Sequence, residues 1–512
     1  MLAGAASASA ATSVAGQVRY AIDNNPNFSS IQVTAQRHEY VILQPRMTDQ
    51  LHAIKAANPQ TKVLMDKDLS ASIDYPSNVY LSTGVSYQEA NTEHPEWFLR
   101  NTSGNRFTFS SYGYLWAMDV GSPSYQQRWA DNVLNSVKTL GYDGVFIDDT
   151  NPTMKSHYTV SQVAKYPSDA AYQQATESAL AYITPRIHAA GYLAVSNIGN
   201  WGEYPDVGQR WLQYLDGAMD ENFGKWGDTA GSGYAWEGYW NNQLQSLKYA
   251  QEHGKDYLAI THSADGDAAA ARYGWGTLLL GAQGHANFGL HSGYTTENWF
   301  PEYDYDIGEP TGPESRDTNG VHRRQFSNGM VVVNPTGGQL SADLCGGTYS
   351  GSGYSHVTSV NLAANRAAIL TLDSGSSAGT CTGQSSGGGS TSGGTTSGDG
   401  SGTTVQPGKK KIRKGRIVAT GRVTTGAKTT LASSSGDEGA DQFNGTELSL
   451  EVRRQDGGTK AIGVTVRNDG SFVGRVRICQ PGSYEIFAAV PGTEEQLPWP
   501  GDIRVRKEQL RC

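Results

Sequence analysis

The chain has 512 residues, a formal net charge of -9 and only 17% charged residues, with 62 glycines and a 10% aromatic share. That length exceeds one ordinary core, so two or three domains are expected. The acidic balance argues against nucleic acid as the main partner, and no run approaches eighteen apolar residues, so no membrane-spanning helix is expected.

The opening Met-Leu-Ala-Gly-Ala-Ala-Ser-Ala-Ser-Ala is rich in small residues but has no basic start and no full apolar core. Residues 1–17 therefore read as a signal remnant or a disordered segment. From about His38 short apolar runs alternate with amphipathic stretches. The runs are Glu39–Leu43, Lys62–Met65, Tyr114–Val120, Gly144–Ile147, Tyr192–Ser196, Gly217–Met219, Tyr257–Ile260 and Ala286–Leu290. Between them lie helix-like segments such as Tyr125–Leu140, Ser168–Ala190, Tyr239–His253 and Ala268–Leu280. Such alternation implies βαβ units and a parallel sheet. About eight repeats over roughly 270 residues fit a (β/α)8 barrel, placed at 18–319. No Gly-rich phosphate loop follows the first run, which disfavours nucleotide binding.

The texture changes after Pro301. Arg323-Arg-Gln-Phe-Ser-Asn-Gly-Met-Val-Val-Val-Asn-Pro335 reads as a hairpin turning at Ser-Asn-Gly. Residues 320–382 are expected to form a small antiparallel β-domain. Residues 383–407 are almost entirely Ser, Gly and Thr and read as a flexible linker. The basic stretch Lys409–Lys414 then enters a third segment, 408–512. Runs at Arg416–Thr424, Leu448–Arg453, Ala461–Val466 and Tyr484–Val490, with turn signals between them, suggest a β-sandwich. Its Asp-Gly-Ser-Phe and Pro-Gly-Ser-Tyr-Glu-Ile-Phe-Ala blocks resemble transthyretin-like or carboxypeptidase-regulatory-like modules, which implies a spacer or binding accessory, with glycan or cell-wall contact as its expected use.

The four cysteines, Cys345, Cys381, Cys479 and Cys512, all fall late, and none sits in a zinc-like spacing. Two pairs on either side of the linker suggest the disulfides Cys345–Cys381 and Cys479–Cys512, the alternative being four free thiols. Disulfides with a Gly/Ser linker favour a secreted protein.

Chemistry is expected where barrel strands end. Gly141-Tyr-Asp-Gly-Val-Phe-Ile-Asp-Asp149 delivers two carboxylates at the end of an apolar run, and Asp216-Gly-Ala-Met-Asp-Glu-Asn-Phe-Gly224 delivers two more. Glycoside hydrolysis needs a pair of carboxyl groups flanking the scissile bond. Strand alternation puts Gly144, Phe146 and Asp148 on one face, so Asp148 is the expected inward acid and Asp149 a turn former or sugar contact. Glu221 reaches farther than Asp220 and is the expected second catalytic acid, with Asp220 as a hydrogen-bonding neighbour. Asp66, Asp119, Asn197, His262 and His291 lie near other run ends and are expected to hold sugar hydroxyls. Among the many aromatics of these loops, Trp116 and Trp226 are the expected sugar-stacking residues. No metal or organic cofactor is required.

The Gly141–Asp148 block, Asp220-Glu-Asn-Phe223 and the trailing Arg-Gln-Phe-Ser-Asn-Gly-Met-Val-Val-Val-Asn-Pro resemble the glycosyl-hydrolase-like TIM-barrel families, most of all hypothetical glycosyl-hydrolase-like family 15. The resemblance covers roughly residues 18–372 and extends more distantly to retaining α-glycosidases and dextranases. It implies Asp148 as nucleophile and Glu221 as acid/base, with the Asp148–Asp149 doublet leaving the nucleophile open by one position. The expected activity is retaining hydrolysis of a polysaccharide or oligosaccharide. An inverting enzyme with the same pair is the nearest variant. A non-catalytic carbohydrate-binding or cell-wall protein on an inactive barrel is the alternative from another class. A metal-dependent hydrolase using Asp66, Asp148, Asp149 and His262 is disfavoured by the lack of HxH or HExxH spacing.

Overall fold

The computed structural model describes residues 14–379 apart from 23–25, 29, 75–81 and 159–162, and beyond them the segments 384–385, 403–413, 416–425, 447–454, 459–465, 471–477, 481–489, 496–498 and 503–505. The chain divides into two compact units, Met1–Gly388 and Gly389–Cys512.

Unit one is built on a closed barrel of eight parallel strands. They are β1 (Gly16–Ala21), β2 (Tyr40–Leu43), β3 (Lys62–Asp68), β4 (Gly144–Thr150), β5 (Leu193–Ile198), β6 (Gly217–Asp220), β7 (Asp256–His262) and β8 (Ala286–His291), with β1 pairing β8 to close the ring. Both faces of each strand are covered, which is why most of them read as unbroken apolar runs. Alternate residues fill the lumen: Val18, Tyr20, Tyr40, Ile42, Leu64, Phe146, Val195, Met219, Leu258 and Ile260, all buried. Strand starts are tight. A Cβ on Gly144 would lie 2.3 Å from the Leu193 carbonyl oxygen, and one on Gly217 2.4 Å from that of Asp256.

Two expectations about the barrel change. Its first strand is Gly16–Ala21, which begins at the end of the segment read as a remnant and was not among the expected runs, because Gln17 and Arg19 interrupt the apolar pattern there. Arg19 is nonetheless buried, donating to the carbonyl of Thr295 at 2.8 Å and contacting His291 Nδ1 at 3.1 Å. Tyr114–Val120 is not a barrel strand. Its centre, Leu115–Ala117, pairs antiparallel with Ala71–Ile73 inside the long β3–β4 insertion.

Helices α1 (Ile31–Arg37), α2 (Thr48–Ala57), α3 (Pro123–Leu140), α4 (Asp169–Ala189), α5 (Pro205–Leu212), α6 (Glu237–Glu252) and α7 (Ala268–Gly281) form the outer layer. In α3 Pro123 sits in the first turn and Gly141, at φ 86°, ends the helix, an arrangement that suits both residue types. Its buried stripe of Tyr125, Trp129, Val133, Val137 and Leu140 follows the helical period.

An antiparallel β-domain packs on α7. Its central strands are His322–Phe326, Gly329–Asn334 and Arg366–Leu372, the first two joined by the expected turn at Ser327–Asn328. A Cβ on Gly276 of α7 would stand 2.8 Å from that of Ala367, so helix and sheet meet closely. Arg324 Nη1 donates to the Leu279 and Ala282 carbonyls at 2.9 and 2.7 Å, closing the C-terminal end of α7. Glu314 ties the domain to α6: its carboxylate accepts from Lys248 Nζ and pairs with His322 Nδ1, both at 2.6 Å.

Burial would push the Glu314 carboxyl up, but His322 and Lys248 outweigh it and hold it down at about 2. A depressed acid stabilises the fold above its unfolded value of about 4.3, and that stabilisation disappears as pH falls toward 2. Glu314→Gln strands Lys248 and His322 and is expected to cost about 3 kcal/mol or more at neutral pH. Thermal unfolding from pH 7 to pH 2 checks this: the variant's Tm should start lower and fall less steeply on acidification than wild type's.

Cys345 follows the strand Leu340–Asp343 in a turn with φ 60°. Cys381, Cys479 and Cys512 lie outside the described residues, and with them both expected bridges. In unit two, Thr403–Arg413, Arg416–Thr425 and Ser471–Arg477 form one antiparallel sheet. Glu447–Arg454, Thr459–Thr465, Gly482–Ala489, Gln496–Pro498 and Ile503–Val505 form a second. Among the described residues no helix is long and apolar enough to cross a membrane.

Candidate active site

Because Leu64, Phe146, Val195, Met219 and Ile260 face the lumen, alternation directs Asp66, Asp68, Asp148, Asn197, Glu221 and His262 inward at the C-terminal rim. The register agrees, with Asp68 beside Asp148 and Asn197 beside Met219. One amide joins the two leading acids. Asn197 Nδ2 donates to Asp148 Oδ1 at 2.9 Å and to Glu221 Oε2 at 2.7 Å. Asp148 also accepts from the backbone N–H of Asp149 at 2.9 Å and from the Tyr20 hydroxyl at 3.4 Å. On the other side, the Tyr294 hydroxyl donates to Glu221 Oε1, and His262 Nε2 stands 3.5 Å from the same oxygen.

These surroundings separate the two acids electrostatically. Burial, followed by the charges of Asp149 and Glu221, pushes Asp148 up to about 8, against the hydrogen bonds from Asn197 and the Asp149 N–H. Burial also acts on Glu221, but His262, Tyr294 and Asn197 outweigh it and hold its carboxyl below the usual range. In the free protein the proton therefore rests on Asp148 and the negative charge on Glu221.

The structure places Asp149 differently from a simple alternating strand. Pairing of β4 with β5 shifts between Ile147 and Thr150, and Asp149 takes a left-handed φ of 57°. Aspartate is one of the few side chains that tolerates this region. The Thr150 hydroxyl donates to the Asn197 carbonyl at 2.5 Å and the Ser196 hydroxyl to that of Ile147 at 3.0 Å, so side chains reseal the interrupted ladder. The kink brings the Asp149 carboxyl into a hydrogen bond with Asp68, with His157 Nε2 at 3.2 Å. Burial and then the Asp149 and Asp148 charges raise Asp68 well above its normal value, so Asp68 keeps the shared proton. Asp66 is raised likewise, first by burial and then by Asp148; it accepts from Gln44 Nε2 at 2.9 Å through Oδ2, while Oδ1 has no hydrogen-bond partner.

The remaining candidates scatter. His291 is buried, contacts Arg19, and is held neutral by burial and then by that guanidinium. Asp119 lies in the insertion, where Lys165 and Tyr166 engage its carboxylate. Trp116 donates to Asp74 Oδ2 at 2.8 Å and packs on Tyr87 and Phe98, within the insertion's own cluster. Trp226 is exposed on the loop after β6. Asp220 turns outward to Tyr257 and Gln243, at 2.8 and 2.9 Å, the hydrogen-bonding neighbour expected of it. Sequence reading missed Asp68, Tyr20, His157 and Tyr294. Asp68 was findable, standing two positions after Asp66 on one strand. Among the described residues no group of three or more His, Cys, Asp or Glu side chains is arranged to hold a metal ion.

Residues 55–330 match the sequence profile of hypothetical glycosyl hydrolase family 15. The chain belongs to that family. The expected (β/α)8 fold with its small antiparallel domain is thus found in a member of hypothetical glycosyl hydrolase family 15, and it is a glycosidase-like one. No curated protein matches the chain. Solved structures similar to it include the glycoside hydrolase domain of PelA from Pseudomonas aeruginosa, at 13% identity and TM-score 0.36 over 56% of this chain and 96% of that one. Another is the noncanonic maltogenic alpha-amylase AmyB from Thermotoga neapolitana, at 11% identity and TM-score 0.39 over 70% and 98%. Likenesses this distant carry no argument about substrate.

Proposed function

We propose that the protein is a retaining glycoside hydrolase in which Asp148 and Glu221 act as the catalytic pair on a polysaccharide or oligosaccharide. The supporting observation is the single Asn197 nitrogen shared by both carboxylates. Legs of 2.9 and 2.7 Å from Nδ2 hold these two oxygens no more than about 5.6 Å apart, which admits the 5–5.5 Å of retaining enzymes and favours them over inverting ones, at 6.5–9.5 Å.

The charge distribution supports a reversal of the roles implied by family resemblance. Glu221, already anionic, attacks the anomeric carbon; Asp148, already protonated, gives its proton to the departing glycosidic oxygen. The covalent glycosyl–Glu221 ester is then opened by water, whose proton returns to Asp148. Tyr294 and His262 hold the Glu221 carboxylate in place, and Asn197 keeps both acids in register. Asp66, buried beside Asp148 with one oxygen lacking a hydrogen-bond partner, is the proposed contact for a sugar hydroxyl. Secretion and the Cys345–Cys381 bridge belong to the same proposal; Gly379, two positions before Cys381, lies directly against the Cys345 carbonyl.

Proton NMR of the first product formed from a glycan panel tests the mechanism. The newly formed anomer should have the configuration of the substrate. An inverted first product would overturn the retaining reading, and glycan binding without turnover would favour a non-catalytic barrel.

A further inference from the structure

Single exposed aromatic rings are ordinary, but exposed rings gathered together mark surfaces that bind something. Among the described residues the large exposed hydrophobics are Tyr112, Tyr114, Trp226 and Trp236, the last of these 51% exposed. They form two pairs. Tyr112 and Tyr114 have ring centroids 6.1 Å apart on a turn of the β3–β4 insertion. Trp226 and Trp236 are 6.0 Å apart on the arm that leaves β6, and both pack against Tyr239, at 6.1 and 5.0 Å.

Each pair is tied to one catalytic acid. Phe109, at the base of the tyrosine turn, stacks on His157 at 5.0 Å, and His157 stands 3.2 Å from Asp149, the neighbour of Asp148. The Tyr112 hydroxyl feels burial and then the charges of Glu221, Asp149 and Asp148, as a group facing the mouth should. On the other side, Asp228 lies 3.7 Å from His262, which is 3.5 Å from Glu221. The tryptophan arm is braced at its base, with Trp226 N–H donating to Gly233 and Ala235 N–H to Gly224, both at 2.9 Å. Lys225 Nζ fastens it to the Gly227 and His262 carbonyls, at 2.6 and 2.8 Å.

Strand order sets the two pairs on different arcs of the rim. The tyrosines emerge between neighbouring strands β3 and β4, and the tryptophans between neighbours β6 and β7, with β5 and its Asn197 in between. Aromatic planes are good partners for the C–H faces of sugar rings, and rings on both flanks of a carboxylate pair mean sugar contacts on both sides of the cleaved bond.

We propose that these two aromatic platforms bind an extended glycan chain across the mouth, so that the enzyme cuts internal bonds of a polymer free of carboxylate and sulfate groups. This rests on the hydrolase reading above. The exclusion of anionic chains follows from the carboxylates of Asp149 and Glu221, the two acids of this cluster that stay anionic, beside which a uronate would be repelled.

The test compares wild type with the double variants Tyr112→Ala/Tyr114→Ala and Trp226→Ala/Trp236→Ala on soluble neutral polysaccharides (dextran, pullulan, glucomannan, galactan) and on polygalacturonate. Affinity electrophoresis reads binding, and size-exclusion chromatography reads the polymer's mass during digestion. Wild type should be retarded by a neutral polymer and lower its mean mass before monosaccharide accumulates, leaving polygalacturonate uncut. Each double variant should raise KM on that polymer on the order of tenfold and weaken its retardation in the gel. Unchanged polymer KM in both variants, release of monosaccharide from intact polymer, or cutting of polygalacturonate would overturn the inference and leave the hydrolase reading standing. Retardation that the variants lose, without turnover by wild type, would support the platforms and sink the hydrolase. A wild type neither retarded nor active would remove both.

Discussion

Glu221→Ala is expected to abolish turnover on every substrate, whereas Asp148→Ala should spare substrates whose leaving group departs without a proton. The loss of a covalent nucleophile registers on the order of 10⁶-fold in kcat. Loss of a general acid costs roughly 10²–10⁴-fold on a sugar leaving group and far less on an activated aryl glycoside. Azide makes the distinction sharper. In Glu221→Ala it can attack from the vacated side in one displacement and give a glycosyl azide of inverted configuration. In Asp148→Ala it replaces water in the second displacement and gives the retained configuration. Inverted azide from Asp148→Ala would restore Asp148 as nucleophile.

The pH dependence of wild type carries the same assignment. Glu221 must be ionised, so activity should fall as pH drops below its depressed titration. Asp148 must be protonated, so activity should fall as pH rises through about 8. These limbs belong to the coupled pair rather than to either acid alone.

The barrel was legible because parallel strands buried on both faces betray themselves as short apolar runs, as Gly144–Ile147 does. The strand Gly16–Ala21 was not. Its Arg19 is accommodated by His291 and Thr295, partners more than 270 positions away, and no local window holds that information. Alternation was enough to direct Asp148 inward from sequence. The same rule fails one residue later, where the left-handed Asp149 breaks the period and turns a supposed outward residue back to the mouth. Aromatic identity was a poorer guide. Trp97, Trp201 and Trp240 stand in the same stretches as Trp116 and Trp226 but are buried, since a large flat side chain serves a core as well as a cleft. Tyr294 reaches Glu221 from the loop beyond β8, and only closure of the barrel brings those two together.

Asn197→Ala is the second large effect, expected to lower kcat on the order of 10²-fold without unfolding the protein. The amide does no bond-making, yet among the described residues it is the one group that donates a hydrogen bond to both acids. Without it the carboxyl groups repel and drift, and a displacement near 1 Å costs about that factor. Its hydrogen bonds lower both carboxyl groups, so their loss should move both limbs of the pH–rate profile to higher pH. A purely steric defect would reduce the rate and leave the limbs where they are. Asn197→Gln keeps the donor on a longer arm, so it should recover the pH limbs more fully than the rate. Unmoved limbs in the alanine variant would separate Asn197 from the charge balance and remove the observation on which the retaining geometry stands.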